Sequence, residues 1–138
     1  MKQASGELTI DTRGQGLIEI TDQVARWLDD QAITTGLLTV FCRHTSASLL
    51  INENAAPAVR RDMERYLARL APESRDYEHD DEGPDDMPAH LRTALTDVSL
   101  SIPIARGQPV LGTWQGIYLF EHRTAPHRRR IALHVIGE

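Results

Sequence analysis

The sequence holds a single cysteine, Cys42, so an internal disulfide is excluded. That residue sits in an apolar run with Leu37, Leu38, Val40 and Phe41, where a thiol is expected to pack as a small core side chain rather than act as a nucleophile. A reducing cytoplasm is the expected location. No apolar run approaches the roughly 20 residues that span a bilayer, which excludes a helical membrane anchor. The opening Met1-Lys2-Gln3-Ala4-Ser5-Gly6 has no apolar centre, so a signal peptide is not expected. Internal repeats, low-complexity tracts and long linkers are missing too, and the 138 residues suit one domain over 1–138. There is no phosphate loop, no dinucleotide fingerprint and no nucleophile elbow.

What is there begins with an uneven charge. The chain carries a formal −5, but Glu73 to Asp86 alone holds eight acidic residues against Arg75, leaving the remainder slightly positive. A block of this kind argues against nucleic acid as the main partner and suits a cation or plain solvation. The one basic run, Arg128-Arg129-Arg130, leads into Ile131-Ala132-Leu133 and reads as the entry to a strand, with a phosphate contact as the alternative.

The apolar pattern predicts short strands at Leu8 to Ile10 and Leu17 to Ile20 around a turn at Arg13-Gly14-Gln15-Gly16. Thr21 or Asp22 is expected to cap a helix containing Val24, Ala25, Trp27 and Leu28. Strands are expected at Gly36 to Arg43 and Ser48 to Ile51. Pro57 opens the best-marked helix, with one apolar stripe of Val59, Met63, Tyr66, Leu67 and Leu70, stopped by Ala71-Pro72. A short helix starts at Pro88 and runs through Ala89 to Thr96. Strands then close the chain at Ser99 to Ile104, Val110-Leu111, Thr113 to Glu121 and Arg129 to Ile136. Strands at both ends with helices in the middle give an α+β class, mostly antiparallel, with two or three helices.

Of six histidines, His44, His79, His90 and His122 stand at strand ends, loops or a helix start; His127 and His134 look like surface residues. Three imidazoles from distant segments form the usual open site for Zn²⁺ or a similar ion. Asp80, Asp86 and Glu53 are carboxylates available to orient those rings or to act as acid and base. No tight H-x-x-x-H pair exists, so surface histidines beside a solvated acidic turn remain the competing reading. Asn52-Glu53-Asn54 follows a strand and serves either as a helix cap or in a site. In Gly112-Thr113-Trp114-Gln115-Gly116, Trp and Gln offer a stacking face and an amide to a heterocycle, although a lone Trp in a strand is more often core. Ser46 and Ser48 lie close to His44, but nothing in the sequence orients them as a hydrolase triad.

These stretches together resemble the YjbQ family: His44-Thr45-Ser46-Ala47-Ser48-Leu49, Asn52-Glu53, Tyr77-Glu78-His79, Asp85-Asp86-Met87-Pro88-Ala89-His90-Leu91, Gly112-Thr113-Trp114-Gln115-Gly116-Ile117, and the close from Arg130-Ile131 to Gly137-Glu138. The resemblance covers essentially the whole chain. It implies a small α+β fold, a homotrimer, and a divalent metal, Zn²⁺ or Mg²⁺, held by His44, His79 and His90. His122, in Glu121-His122-Arg123, matches a variant found in only part of that family. The activity linked to the family is a weak thiamine-phosphate synthase reaction, a transfer that joins a pyrimidine pyrophosphate to a thiazole phosphate. Under that reading Arg43 and Arg123 steady the leaving oxygens and Glu53 or Asp86 serves as acid or base. Asn52, Thr113, Trp114, Gln115 and Ser46 would contact a small phosphorylated substrate. A non-catalytic trimer that binds metal or ligand, and a metal-dependent phosphoester hydrolase, are the alternatives.

Overall fold

The computed structural model describes residues 1–138 and arranges them as two antiparallel sheets with three helices. The larger sheet takes the order β1 (Lys2–Asp11), β8 (Arg128–Gly137), β3 (Thr35–Cys42), β5 (Ser99–Ala105) and β6 (Gln108–Pro109). The smaller takes the order β2 (Gly16–Glu19), β7 (Gln115–Glu121) and β4 (Ala47–Glu53). The helices are α1 (Thr21–Asp29), α2 (Pro57–Leu70) and α3 (Asp86–Leu95).

Alternation along the long strands decides the layers. In β3, Leu38, Val40 and Cys42 are buried, as are Leu100, Ile102 and Ile104 of β5 and Ile131, Leu133 and Val135 of β8. These face Leu49, Ile117 and Leu119 of the small sheet and Val24 and Leu28 of α1 in one core. Cys42 thus packs as expected, its Sγ–H directed at the Ala47 carbonyl at 3.4 Å. A second, smaller cluster of Leu17, Tyr118, Phe120 and Leu67 lies between the other face of the small sheet and α2. The opposite face of the large sheet has no helix over it. There Leu37, Phe41 and Ile136 stay 43%, 42% and 39% exposed.

Residues Asp97 and Val98 join the two sheets. Asp97 exchanges backbone hydrogen bonds with Leu49 of the small sheet, while the Val98 carbonyl accepts from Cys42 N–H of the large one.

Several local expectations need correction. β1 and β2 flank the expected turn, but β1 begins at Lys2 rather than Leu8, and the two strands pair with β8 and β7. Helix α1 is preceded by Ile20 and has no side-chain cap. Thr21 Oγ1 instead donates to Glu19 and accepts from Ile117 N–H, tying α1 to β7. On α2 only Leu67 of the apolar stripe is buried; Tyr66 and Leu70 remain half exposed, because the small sheet beneath the helix is just three strands wide. The short edge strand is Gln108–Pro109 rather than Val110-Leu111. Trp114 is no core residue: β7 begins at Gln115, and Trp114 sits in the preceding turn, 64% exposed.

Candidate metal centre

Helix α3 begins at Asp86, and this places Asp86 and His90 one turn apart on the same side of the helix. Asp86 Oδ2 lies 3.0 Å from His90 Nε2 and 2.7 Å from Nε2 of His79, which arrives from the acidic loop. The two imidazole rings stand 5.7 Å apart. One ligating atom from each of His79, Asp86 and His90 falls within 4.8 Å of the others.

The hydrogen-bond chemistry of this trio is unbalanced without a positive charge at its centre. His90 Nδ1 sits 2.8 Å from the Thr45 carbonyl, an acceptor only, so that nitrogen carries the proton. In a neutral ring Nε2 is then a lone pair, yet it faces a carboxylate oxygen. His79 is less constrained: Nε2 faces Asp86, whereas Nδ1 lies 3.3 Å from the exposed Asp81 without a hydrogen bond, so an Nε2–H donating to Asp86 satisfies the neutral ring. Each Nε2 must therefore hold a proton or a metal ion. The donor set, two imidazole nitrogens and one carboxylate oxygen, suits Zn²⁺ and other first-row divalent ions. The Thr45 carbonyl acts as the outer partner that orients a metal-bound ring. The residues present fit a metal.

The surroundings are charged and ordered by Arg123. Its Nη1 donates to Asp86 Oδ1 at 2.7 Å, its Nε to Asp85 Oδ2 at 2.9 Å and its Nη2 to the Glu82 carbonyl at 3.0 Å. Burial alone would raise Asp86, but His79, His90 and Arg123 together hold it below the usual carboxylate range. Asp85 is likewise pushed up by burial but pulled down to about 2 by the Thr124 N–H and Arg123. The hydrogen bond to Asp86 lifts His79 above the ordinary histidine range.

The other predicted site residues are distributed as follows. His44 is not part of the trio: its Nε2 accepts from the Arg130 N–H at 2.8 Å. It shares with His90 the rim of an open, mostly apolar cleft of about 900 Å³, floored by Phe41, Cys42 and Val98, with Arg43 also at its edge. Arg43 is paired with Glu7 on the surface. Ser46 is buried and accepts from Arg129. Glu53 closes the turn ahead of α2, both oxygens accepting from Ala56 N–H, while the helix itself has no side-chain cap. Asn52, Thr113, Trp114 and Gln115 stand with Glu53 at the opposite end of the small sheet, six residues along β4 from Ala47. At about 3.3 Å per residue that is about 20 Å from the His90 end. Gln115 Oε1 accepts from Gly112 N–H and closes its own turn.

His122 is fully buried, ring against Phe120 at 4.4 Å, with Nε2 2.9 Å from Ser48 Oγ. Burial, and then Arg92 and Arg129, push it down to about 3, so the ring is neutral. Burial also favours a protonated Glu121, but Arg129 and Thr12 hold its carboxyl ionised. Two partners escaped the sequence reading: Asp85, and the backbone carbonyl of Thr45. Asp85 was legible in principle, since an Asp-Asp pair just ahead of Pro88 places one carboxylate at the helix start and the other four residues from His90.

The sequence matches the family described as UPF0047 protein YjbQ-like over residues 6–138. It is 50% identical over 132 residues to a UPF0047 protein of Synechocystis sp., covering 95% of this chain and 90% of that one. Identity to the UPF0047 protein YjbQ of Escherichia coli O157:H7 is 44%, over 95% and 96% of the two chains. Among solved structures, a hypothetical protein of Aeropyrum pernix K1 superimposes with a TM-score of 0.90 at 30% identity, covering 98% and 99%. A yjbq/upf0047 family protein of Clostridium acetobutylicum gives 0.87 at 37% identity, over 94% and 98%.

Proposed function

The chain belongs to the UPF0047 YjbQ-like family, and from that premise we propose that it is a metal-assisted enzyme on a small phosphorylated substrate, with weak thiamine-phosphate synthase activity. The observation that carries this reading is the pair of imidazole Nε2 atoms aimed at one carboxylate oxygen, an arrangement that one shared metal ion would balance in place of a proton on each ring. In the transfer, the thiazole nitrogen bonds to the methylene carbon of the pyrimidine as its C–O bond breaks, and pyrophosphate leaves with the electron pair. A divalent metal held by His79, Asp86 and His90 would supply the positive charge that this leaving group needs. Asp86 anchors both imidazoles, and Arg123 is a positioning residue, since its donors are already engaged with Asp85, Asp86 and Glu82. Arg43, exposed at the cleft rim, is the guanidinium free to reach a phosphoryl oxygen by leaving Glu7. The apolar floor of Phe41, Cys42 and Val98 suits a heterocyclic ring.

The test combines metal analysis of the purified protein with assays of thiamine-phosphate formation with and without chelator. Replacing His90 with Ala should remove bound metal and activity while the melting temperature stays within a few degrees. Unaltered metal content with a lowered melting temperature would make His90 a packing residue and end this reading.

The apolar row on the uncovered face of the large sheet supports assembly as a homotrimer. Phe41 with Ala132, and Leu37 with Ile136 and Pro103, stand side by side there. Light scattering should return three chains per particle; a monomer mass at micromolar concentration would refute the trimer. The buried, reduced Cys42 agrees with a cytoplasmic setting.

A further inference from the structure

Arg92 lies on α3 two residues from His90 but serves a different part of the molecule. Its side chain reaches the end of α2, where Nε and Nη2 both donate to the Ala71 carbonyl at 3.1 and 2.8 Å. Arg92 is only 5% exposed, yet it forms no ion pair, and Nη1, which has no hydrogen-bond partner in the protein, keeps contact with solvent. Buried guanidinium groups are ordinarily matched by a carboxylate, because an unmatched one forfeits its hydration for nothing. Desolvation pulls Arg92 below its usual range, and only the distant fields of Glu73, Tyr77 and Asp85 oppose it.

The same residue lines a cleft of about 250 Å³ between α2 and the small sheet, together with Gln15, Arg65, Ala68 and Phe120. Two carboxylates also line it, and neither is free to pair with Arg92. Glu121 is fully engaged with Arg129, Thr12 and the N–H groups of His122 and Arg123. Glu64 Oε2 accepts from Leu17 N–H. Glu121 is balanced by Arg129, and Arg65 at the rim is exposed and 3.8 Å from Asp62, which leaves Arg92 as the buried cation of the cleft. Gln15 Nε2 is held by Glu73 and the His122 carbonyl, so it shapes the mouth rather than reaching inward.

We propose that this cleft is a binding site for a small oxyanion, a phosphate group or a carboxylate, held by the unpaired nitrogen of Arg92 with Arg65 at the rim. The site is independent of the metal and of the cleft beside His90. A guanidinium edge offers an oxyanion charge-assisted hydrogen bonds that the Ala71 carbonyl leaves unused.

The experiment uses the full-length protein in chelator at constant ionic strength, so that the His79–Asp86–His90 trio carries no metal. Melting temperature and calorimetry are followed against sodium phosphate, phenyl phosphate and sodium acetate, with chloride as the control. A saturable rise of several degrees with one of the oxyanions is expected, and the stronger responder among the three identifies the ligand class. Arg92→Met should abolish the response. Should that variant fail to fold, Ala68→Trp, an exposed α2 position at the cleft, should block entry with Arg92 intact. His90→Ala should leave the response unchanged. No saturable response in the wild type, or the same response in Arg92→Met or Ala68→Trp, would overturn the site.

Discussion

At the end of the small sheet where β4 begins and β7 finishes, most polar side chains are committed to one another, although His122 Nδ1 and Thr93 Oγ1 are buried without a partner. Arg123 is bound to Asp85 and Asp86, Arg129 to Glu121 and Ser46, His122 to Ser48, and His79 and His90 to Asp86. At the other end, where β4 finishes and β7 begins, the groups are looser. Trp114 is 64% exposed, and the Asn52 Nδ2 and Arg60 Nε atoms have no partner although water does not reach them. The same two strands thus carry a densely paired, charged end and a sparser, more exposed one. Preorganised polar groups are what chemistry on an anion requires, and they cost stability unless each is matched. The paired end is therefore the one on which the proposed chemistry rests, and the sparser end is its natural control.

The largest break in this contrast should come from Asp86→Ala. One carboxylate serves two histidines and Arg123, so its removal is expected to eliminate metal binding and activity together; Trp114→Ala, tested beside it, should leave metal content unchanged by elemental analysis. Next, Arg123→Met should strand two largely buried carboxylates, costing about 3 kcal/mol in chemical denaturation and loosening the acidic loop to proteases.

The pH dependence sharpens the same contrast. In metal-free protein, His79 is raised by Asp86, so its stabilising contribution is complete below the ordinary histidine value of about 6.5 and fades as pH climbs through the raised value. Wild type and His79→Gln should differ in melting temperature near pH 6 and converge in alkaline buffer. Asp85 acts in the opposite sense: its contribution is present above the ordinary carboxylate value of about 3.9 and is lost only as pH falls to about 2. The smallest effect is expected at the loose end. Glu53→Ala removes a turn hydrogen bond to Ala56 N–H and should cost about 1 kcal/mol or less by thermal melting, with no change in metal.

The sequence was most readable where one period dominates. Alternation in β3, β5 and β8 identified strands and their buried faces, and Pro57 marked the start of α2. His79 and His90 were legible as ligand candidates from their polar neighbours. His44 was not separable from them, because only tertiary structure turns its Nε2 towards the Arg130 N–H. The exposure of Trp114 was hidden for a related reason: the strand expected from Thr113 starts two residues later, at Gln115, and Trp114 falls in the turn before it. Arg129 reads as one of three like charges. Alternation along β8 sends it inward to Glu121 and its two neighbours outward, a distinction that composition does not carry. No local pattern on α3 announces that Arg92 turns inward to the Ala71 carbonyl at the end of α2.

The clasp formed by Asp97 and Val98 has a consequence for how the molecule opens. Because one dipeptide is stitched to Leu49 on one side and Cys42 on the other, neither sheet can peel away while the other stays intact. The amides of Leu49 and Cys42 then exchange with solvent only through whole-molecule opening, whereas α2, resting on a narrow patch around Leu67, can fray by itself. Slow and fast exchange would divide the chain between its clasped sheets and that overlying helix, so the segment that roofs Arg92 is the part freest to lift and admit a ligand.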